Sequence, residues 1–320
     1  MARPCLVRIK SRAVLAKTGA TETLDITNDR IAVMGLEVAV EATEIDRSDV
    51  YTPNGLGLGS VTSGRRTTFT ITQEVYGDIS EHLVLLEACP VKVTTTGDGN
   101  GYVEPSESVC EGTGYKPCTI EIIEVGGNKY RAENCTGTFT LTASPGDRQQ
   151  LVFTMEGSFV QPDDSGVTTV SIVPVPLPLM YKNSTVEFTT ATGVETPLGS
   201  CPAVTFTPGM ESVVVPSACT PDGGGWSIVG GTGPASLAFS GVVSRKESVD
   251  KLWKTSVDPA EGAGATVVAV LFESGAESFS IEFDDFTLRD PALTEVEQFV
   301  GYDVNFEGAD WVMTWAGFGQ

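Results

Sequence analysis

The sequence is poor in the groups that most catalytic and metal sites need. Its 320 residues include one histidine, His82, so a metal site built on several histidines is excluded. The motifs Gly-x-Ser-x-Gly, Cys-x-x-Cys and His-Glu-x-x-His are missing, which removes common signatures of hydrolases, thiol oxidoreductases and zinc proteases. We expect His82 to be a solvated residue on the polar side of a helix. Neither enzymatic activity nor a cofactor is expected.

Positive charge is also scarce. Lysine and arginine number 20 against 42 aspartate and glutamate residues, which gives a net charge of −22. Tight binding to a phosphate backbone needs clustered cations. The composition therefore excludes nucleic acid as a tightly bound ligand, although an acidic wall that repels DNA is compatible with it.

Long apolar runs and an export signal are missing as well. No stretch of about 18 apolar residues is present, so no membrane span is predicted. Residues 1–10 carry basic side chains without an apolar segment after them, so no secretory signal is predicted. We therefore expect the seven irregularly spaced cysteines to be mostly free thiols, made in a reducing cytoplasm. Later oxidation of Cys110 with Cys118, or of Cys201 with Cys219, stays open.

The sequence is rich in alternating apolar and polar residues, which is the period of a half-buried β-strand. Residues 67–75 place Phe69, Ile71 and Gln73 on one face and threonines on the other. Segments with a similar alternation are residues 30–45, 119–125, 136–142, 150–159, 278–288 and 298–306. Together with 35 glycines, many of them in turns, these segments predict a mainly β fold.

Two short helices are expected, one in each half of the chain. The first follows Gly77, with Asp78 as its N-cap and Glu81 three residues later. The second begins at Ser244 with Glu247 three residues later. That spacing is a capping box, in which the two side chains satisfy free backbone N–H groups.

The order of the predicted elements repeats along the chain. Each half has a strand, a helix, a loop and three more strands, and the last strands contain Glu156-Gly157 and Glu307-Gly308 in matching places. Between the halves, prolines at 174, 176 and 178 indicate an extended linker that runs over a surface. We predict a first domain at residues 1–160, a Pro-rich linker at 161–190 and a second domain at 191–320, related by duplication.

Three segments carry a family resemblance. They are residues 13–17, residues 64–71 with the short helix that follows, and residues 130–159 with Gly137-Thr-Phe139, a turn at Pro145-Gly146, and Glu156-Gly157. Residues 38–47 with the Gly-rich loop after them, and Pro162 with the Pro-rich stretch, fit the same pattern. In these packing motifs the chain resembles the tail tube proteins of siphophages, bacteriophages with long, non-contractile tails. The resemblance covers about residues 10–185 and continues more weakly through the second half. The loops 94–118 and 199–225 depart from it.

The resemblance implies a fold and a mode of assembly. It implies two tandem tail-tube-like β-sandwich or barrel domains, each with one short flanking helix. Such domains form six-fold rings by continuing an inner sheet around a lumen, and the rings stack into the tail tube. Three chains with two domains each would form a pseudo-six-fold ring.

The resemblance also implies partners and a location. The expected partners are further copies of the chain, the tape measure, tail terminator and distal tail proteins, and phage DNA that passes through the lumen without tight binding. No membrane partner is expected. The expected location is the tail of the virion, assembled in the host cytoplasm.

In a tail tube the acidic composition would have a function, because carboxylates around a lumen repel DNA phosphates and let the DNA slide. The candidate lumen residues are Glu37, Glu41, Glu44, Glu282, Asp284 and Asp285. The Gly-rich loop at residues 51–64 is the candidate for contact between rings. Its contact candidates are Tyr51, Asn54, Leu56 and Leu58.

Other functions stay open at this point. A different phage tail or baseplate protein of the same fold would share all of these features. A carbohydrate-binding β-module would need an exposed aromatic platform, for which Trp226, Trp311 and Trp315 are the candidates.

A glycoside hydrolase is the enzymatic alternative, because it would use paired carboxylates. The acidic pairs here are Asp163-Asp164 and Asp284-Asp285, and neighbouring residues on a strand point to opposite faces. We interpret the first pair as a turn in the linker and the second as exposed charge, with a Ca²⁺ ligand as the alternative for the second pair.

Overall fold

A computed structural model describes residues 12–45, 61–106, 116–124, 127–164, 166, 176–189, 195–198, 203–215, 226–231, 233–242, 266–289, 292–296 and 299–318. These residues lie mostly in strands, so the prediction of a mainly β fold is confirmed.

The first half of the chain contributes nine of the described strands. They are β1 (Arg12–Thr18), β2 (Arg30–Ile31), β3 (Gly35–Ile45), β4 (Val61–Glu74), β5 (Val91–Gly97), β6 (Asn100–Pro105), β7 (Cys118–Glu124), β8 (Asn128–Ala143) and β9 (Gln150–Asp164). Between β4 and β5 lie a 3-10 helix, Ile79–Glu81, and a short α-helix, α1, at Leu83–Glu87.

The second half contributes the remaining described strands. They are β10 (Thr185–Thr189), β11 (Glu195–Pro197), β12 (Ala203–Thr207), β13 (Met210–Val215), β14 (Trp226–Gly231), β15 (Ala235–Val242), β16 (Thr266–Ser274), β17 (Glu277–Asp284), β18 (Thr287–Leu288), β19 (Ala292–Val296), β20 (Phe299–Gly308) and β21 (Asp310–Ala316).

Two large antiparallel sheets contain nearly all of these strands. Sheet 1 runs β18-β20-β15-β12-β8-β7-β1-β2, with β9, β4 and β3 continuing from the other side of β8 and with β19 beside β20. Sheet 2 runs β11-β10-β16-β17-β21-β6-β5, and β13 and β14 form a separate hairpin.

The sheets pack face to face through aromatic rings. Phe206 of β12 lies 4.9 Å from Trp311 of β21 and 6.0 Å from Phe283 of β17, measured between ring centroids. Phe139 of β8 contacts the same tryptophan at 6.4 Å. Because strands alternate their side chains, the neighbours of these residues point away from the core on the outer faces of the two sheets.

Both halves of the chain contribute to both sheets. β8 of the first half pairs with β12 of the second in sheet 1, and β6 pairs with β21 in sheet 2. Buried residues of the two halves form one core, from Val14 to Phe318. The halves therefore pack together, while their division into tandem tail-tube-like domains at residues 161–190 stays a prediction.

Part of the predicted linker is ordered against the core. Asp163 and Asp164 do not form a turn, because they end β9 and pair with Lys129 and Asn128 of β8. Farther on, the N–H of Leu179 donates to the carbonyl of Val75 at 2.7 Å, and Leu179 is buried. The prediction of a surface position is therefore wrong for Leu179, which packs beside β4, while Leu177 two residues earlier is exposed.

His82 is buried, so the prediction of a solvated residue is wrong. Its Nδ1 lies 3.1 Å from Oε1 of Gln73, and its Nε2 accepts from the N–H of Tyr76 at 3.1 Å. Since that backbone group can only donate, Nε2 is unprotonated and Nδ1 carries the proton. Burial lowers the pKa of His82 to about 3, against a smaller opposing effect of Asp78.

Asp78 is an N-cap as predicted, but of the 3-10 helix Ile79–Glu81, and α1 follows His82 without a side-chain cap. Oδ1 of Asp78 accepts from the N–H of Ser80 at 2.8 Å, which satisfies a free donor of the first turn. Glu81 lies in that turn, where burial, followed by the nearby Asp78 charge, raises its pKa. Ser244 and Glu247, the predicted cap of the second helix, lie outside the described residues.

Candidate assembly surface

Sheet 1 contains a continuous antiparallel run of eight strands, in the order β3-β4-β9-β8-β12-β15-β20-β19. The first four strands come from the first half and the last four from the second. In each group the first and second strands along the chain are followed by the fourth and then the third. The structure thus repeats one four-stranded unit, but not with the strands that the sequence order matched. The sequence order matched residues 278–288 with residues 136–142 of β8, whereas β17 lies in sheet 2 and β19 occupies that place in the run.

The two units are joined edge to edge inside the chain. Leu141, Thr142 and Ala143 of β8 pair with Phe206, Thr205 and Val204 of β12. The opposed side chains of Leu141 and Phe206 are both fully buried. We call this contact the internal junction.

The two outer edges of the run have no such partner among the described residues. β3 pairs with β4 alone, and β19 pairs with β20 alone. Val38 of β3 is 37% exposed and Leu293 of β19 is 71% exposed, although both lie in apolar positions of their strands. A long edge strand with exposed apolar side chains is a site for pairing with another strand.

The outer face of the run is polar and uniform. The side chains that alternate with the core residues are Glu37, Ala39 and Glu41 of β3; Arg66, Thr68, Thr70 and Thr72 of β4; Val152, Thr154, Glu156 and Ser158 of β9; Thr138, Thr140 and Thr142 of β8; Thr205 and Thr207 of β12; Ser236, Ala238 and Ser240 of β15; and Asp303, Asn305 and Glu307 of β20. These positions include no aromatic residue, and their one cation, Arg66, pairs with Glu156.

The candidate lumen residues fall on two different faces. Glu37 and Glu41 are exposed on the outer face of sheet 1. Glu282 and Asp284 are exposed on β17, where they alternate with the core residue Phe283, so they lie on the outer face of sheet 2. Asp285 follows them, with a φ of +52°. Because the two faces are on opposite sides of the sandwich, one lumen would not contain both groups.

Other predicted site residues are only partly described. The backbone of Glu44 pairs with Thr62 in the β3–β4 hairpin. Tyr51, Asn54, Leu56 and Leu58, the candidates for contact between rings, lie outside the described residues.

Two of the three candidate tryptophans are core residues. Trp311 and Trp315 are buried, and Nε1 of Trp315 donates to the carbonyl of Tyr76 at 3.0 Å. They therefore cannot form an exposed platform for a carbohydrate. Trp226 lies in β14 of the separate hairpin.

Sequence reasoning missed β19 and the position of Leu293. It also left residues 199–225 unassigned, although β12 and β13 lie there. The repeated order of strands could have indicated both elements. In that order β12 takes the place of β3, and β19 takes the place of the last part of β8.

The described residues contain no group of three or more His, Cys, Asp or Glu side chains that could hold a metal ion. Cys89, Cys118 and Cys135 are buried free thiols, and burial raises the pKa of Cys89 and of Cys135. None of the described helices is long and apolar enough to cross a membrane. No protein-family model matches the chain, and no curated protein sequence matches it.

Proposed function

We propose that this chain is a structural protein that polymerises by extending sheet 1 from one copy to the next, and that its product is the tail tube of a long-tailed bacteriophage. The observation that carries the proposal is the eight-stranded run with a closed internal junction and two open edges. The resemblance of the sequence to siphophage tail tube proteins supports the role in a tail tube.

The run has the right parity for a closed ring. Because it contains eight antiparallel strands, β19 runs opposite to β3, so a neighbouring copy continues the alternation without a break. The two edges differ, so the contact is head to tail and closes into a ring when the rotation permits. Three copies give a ring of 24 strands and six four-stranded units, the pseudo-six-fold trimer.

Such a ring is wide enough to contain a channel. With strands about 4.8 Å apart, 24 strands have a circumference of roughly 115 Å and a backbone diameter of at least about 37 Å, which strand tilt increases. Barrels of about 16–18 strands already leave an aqueous channel.

The outer face of sheet 1 has the chemistry of a channel wall for DNA. Threonine and serine dominate the positions named above, whose charged residues are five carboxylates (Glu37, Glu41, Glu156, Asp303, Glu307) and one cation, Arg66. Further cations beside them are paired with carboxylates, Arg289 with Glu307 and Arg131 with Glu133. Carboxylates repel phosphates, and a face without aromatic side chains offers no stacking platform for bases. We therefore assign this face to the lumen, with Glu37 and Glu41 as the lumen residues, and the face with Glu282 and Asp284 to the exterior.

Assembly is tested by negative-stain electron microscopy of the concentrated protein, with mass photometry of dilute samples. Hollow tubes of stacked rings, or ring-sized trimers, are the expected result. A chain that remains monomeric at all concentrations, also with the other tail proteins added, would contradict the proposal.

The direction of the sheet is tested by labelling assembled tubes. Thr154→Cys places a thiol on the outer face of sheet 1, and Glu282→Cys is the matched variant on the outer face of sheet 2. A small maleimide should modify both variants above the wild-type background. A bulky maleimide polymer should modify only Glu282→Cys in tubes, and the reverse result would place sheet 2 at the lumen.

A further inference from the structure

The internal junction is a template for the contact between copies. In it, the third strand of one unit, β8, pairs with the first strand of the next unit, β12. The third strand of the second unit is β19, and the first strand of the first unit is β3. These are the two strands whose outer edges are open in the described residues.

The strand registers turn this correspondence of strands into a correspondence of residues. Glu156-Gly157 of β9 and Glu307-Gly308 of β20 occupy matching places, so Met155 corresponds to Phe306, both fully buried. Met155 pairs with Phe69, and Phe306 pairs with Leu237. Phe69 therefore corresponds to Leu237.

The neighbours of Phe69 and Leu237 include the open edge at β3. Phe69 pairs with Val38 of β3, and Leu237 pairs with Phe206 of β12. Val38 therefore occupies the place that Phe206 has in the internal junction.

A second correspondence, counted from the same glycines, includes the open edge at β19. Leu151 lies six residues before Gly157, and Tyr302 lies six residues before Gly308. Leu151 pairs with Leu141 of β8, and Tyr302 pairs with Leu293 of β19. Leu293 therefore occupies the place of Leu141.

From this correspondence we infer that β19 of one chain pairs antiparallel with β3 of a second copy, with Leu293 opposite Val38, Thr294 opposite Glu37 and Glu295 opposite Leu36. The inference rests on the proposed function of self-assembly and adds the partner strand and the register. It carries the internal pairs of Leu141 with Phe206, Thr142 with Thr205 and Ala143 with Val204 over to the contact between copies.

The exposure of the side chains supports this register independently. The correspondence rests on the Glu-Gly match and on backbone pairing, without any use of exposure. It nevertheless brings together two of the few large apolar side chains that are exposed among the described residues, Val38 at 37% and Leu293 at 71%. Their counterparts Leu141 and Phe206 are fully buried. A shift by one residue would place Leu293 opposite Glu37 or Ala39, on the polar face of β3.

Disulfide cross-linking tests the register. Opposed residues in neighbouring strands bring their Cβ atoms within reach of a disulfide, while a shift of two residues does not. A chain with both Thr294→Cys and Glu37→Cys, oxidised after assembly, should give covalent oligomers on a non-reducing gel. The matched control, Thr294→Cys with Ala39→Cys, keeps the same face and should give at least ten-fold less.

Mixing the single variants tests the head-to-tail arrangement. Thr294→Cys mixed with Glu37→Cys should give covalent dimers and nothing larger, and each variant alone should give only the background of the native thiols. Cross-linking of one single variant with itself, or stronger cross-linking in the Ala39→Cys control, would overturn the inferred pairing.

A charge on the edge gives a second readout that needs no cross-link. Leu293→Lys should weaken assembly in mass photometry at least ten-fold. Leu177→Lys, at a leucine that is 88% exposed and distant in sequence from both edge strands, should leave assembly unchanged. Normal assembly of Leu293→Lys, with tubes still formed, would reject the β3–β19 contact and with it the extension of sheet 1, while the proposed role as a tail tube protein would stand. A wild-type chain that never assembles would overturn both.

Discussion

The internal junction and the open edges have corresponding backbones but different surroundings. At the junction, Phe206 is fully buried between Leu141 of β8 and the rings of Phe283 and Trp311 from sheet 2. At the edge, Val38 occupies the corresponding place in β3 and is 37% exposed. Within one chain, the junction has both a lateral strand and a covering layer. In the proposed assembly, the lateral strand at the edge would come from a second copy.

The long hairpins that begin at these strands differ in the same way. In the second half the hairpin bends between β12 and β13, at Pro208-Gly209, and β13 and β14 then lie beside β8. Gly209 has a φ of +67°, and a Cβ there would lie 2.5 Å from the carbonyl oxygen of Gly233. In the first half β3 continues through the corresponding position, Val40, which is exposed. The bend is thus found in the hairpin of the second half, which lies beside β8 of the same chain.

The largest expected effect compares the two apolar residues directly. Phe206→Ala should lower the free energy of unfolding of the monomer by about 3–5 kcal/mol, because it opens a cavity between the sheets. Val38→Ala should lower it by about 0.5 kcal/mol or less, because the side chain is already partly solvated. Urea denaturation below the assembly concentration measures both.

The same pair separates folding from assembly. Val38→Ala should weaken ring formation although the monomer keeps its stability. Equal losses of monomer stability for the two variants would show that Val38 is as well packed in the monomer as Phe206, and would contradict the description of β3 as an open edge.

The second prediction concerns the contact of the first helix with the last strand, a further place where the halves meet. His82 stacks on Tyr76, with ring centroids 5.5 Å apart, and lies 6.2 Å from Trp315 of β21. Because burial lowers the pKa of His82 to about 3, the unfolded chain binds a proton below pH 6.5 that the folded chain does not. Stability should therefore fall by about 1.4 kcal/mol per pH unit as the pH drops below 6.5.

Thermal or urea unfolding between pH 6.5 and 5 measures this slope with little contribution from carboxylates. His82→Asn is the control, since it keeps a polar side chain but does not titrate. Its slope should be smaller than that of the wild type by the stated amount, whatever its absolute stability. Parallel slopes would mean that the pKa of His82 is the same in the folded and the unfolded chain, which would contradict a pKa lowered by burial.

The local features of the fold were accessible from the sequence, because they depend on neighbours in the chain. The alternation in β4 correctly put Phe69, Ile71 and Gln73 on the buried face, and Asp78 is the N-cap. The exposure of His82 was predicted wrongly because its partners are at the end of β4 and in β21. Since α1 is only a short helix, a position opposite its apolar residues is not necessarily exposed to solvent.

The candidate site was only half accessible for the same reason. Glu37 and Glu41 were predicted from the alternation of one strand, and they are exposed on one face, while their place in a lumen stays a prediction. Glu282 and Asp284 have the same local pattern, but which face of the sandwich they occupy depends on sheet order, and sheet order is set by contacts distant in sequence. Leu293 was not predicted as a contact residue, because a single exposed leucine does not by itself indicate a contact. Its significance follows from the comparison with Leu141, which is buried in the internal junction.

The smallest expected effect compares the helices of the two halves. Asp78→Ala should lower the free energy of unfolding by about 1 kcal/mol, because the N–H of Ser80 loses its acceptor, while Asp78→Asn keeps an acceptor and should cost less. If the duplication extends to the second helix, Ser244→Ala should carry a similar cost, because the predicted capping box makes Ser244 the counterpart of Asp78. Urea denaturation of the three variants is the measurement. A neutral Ser244→Ala beside a destabilising Asp78→Ala would show that the units correspond in their strands but not in their helices, which would confine the repeat to the part of the fold that builds the sheet.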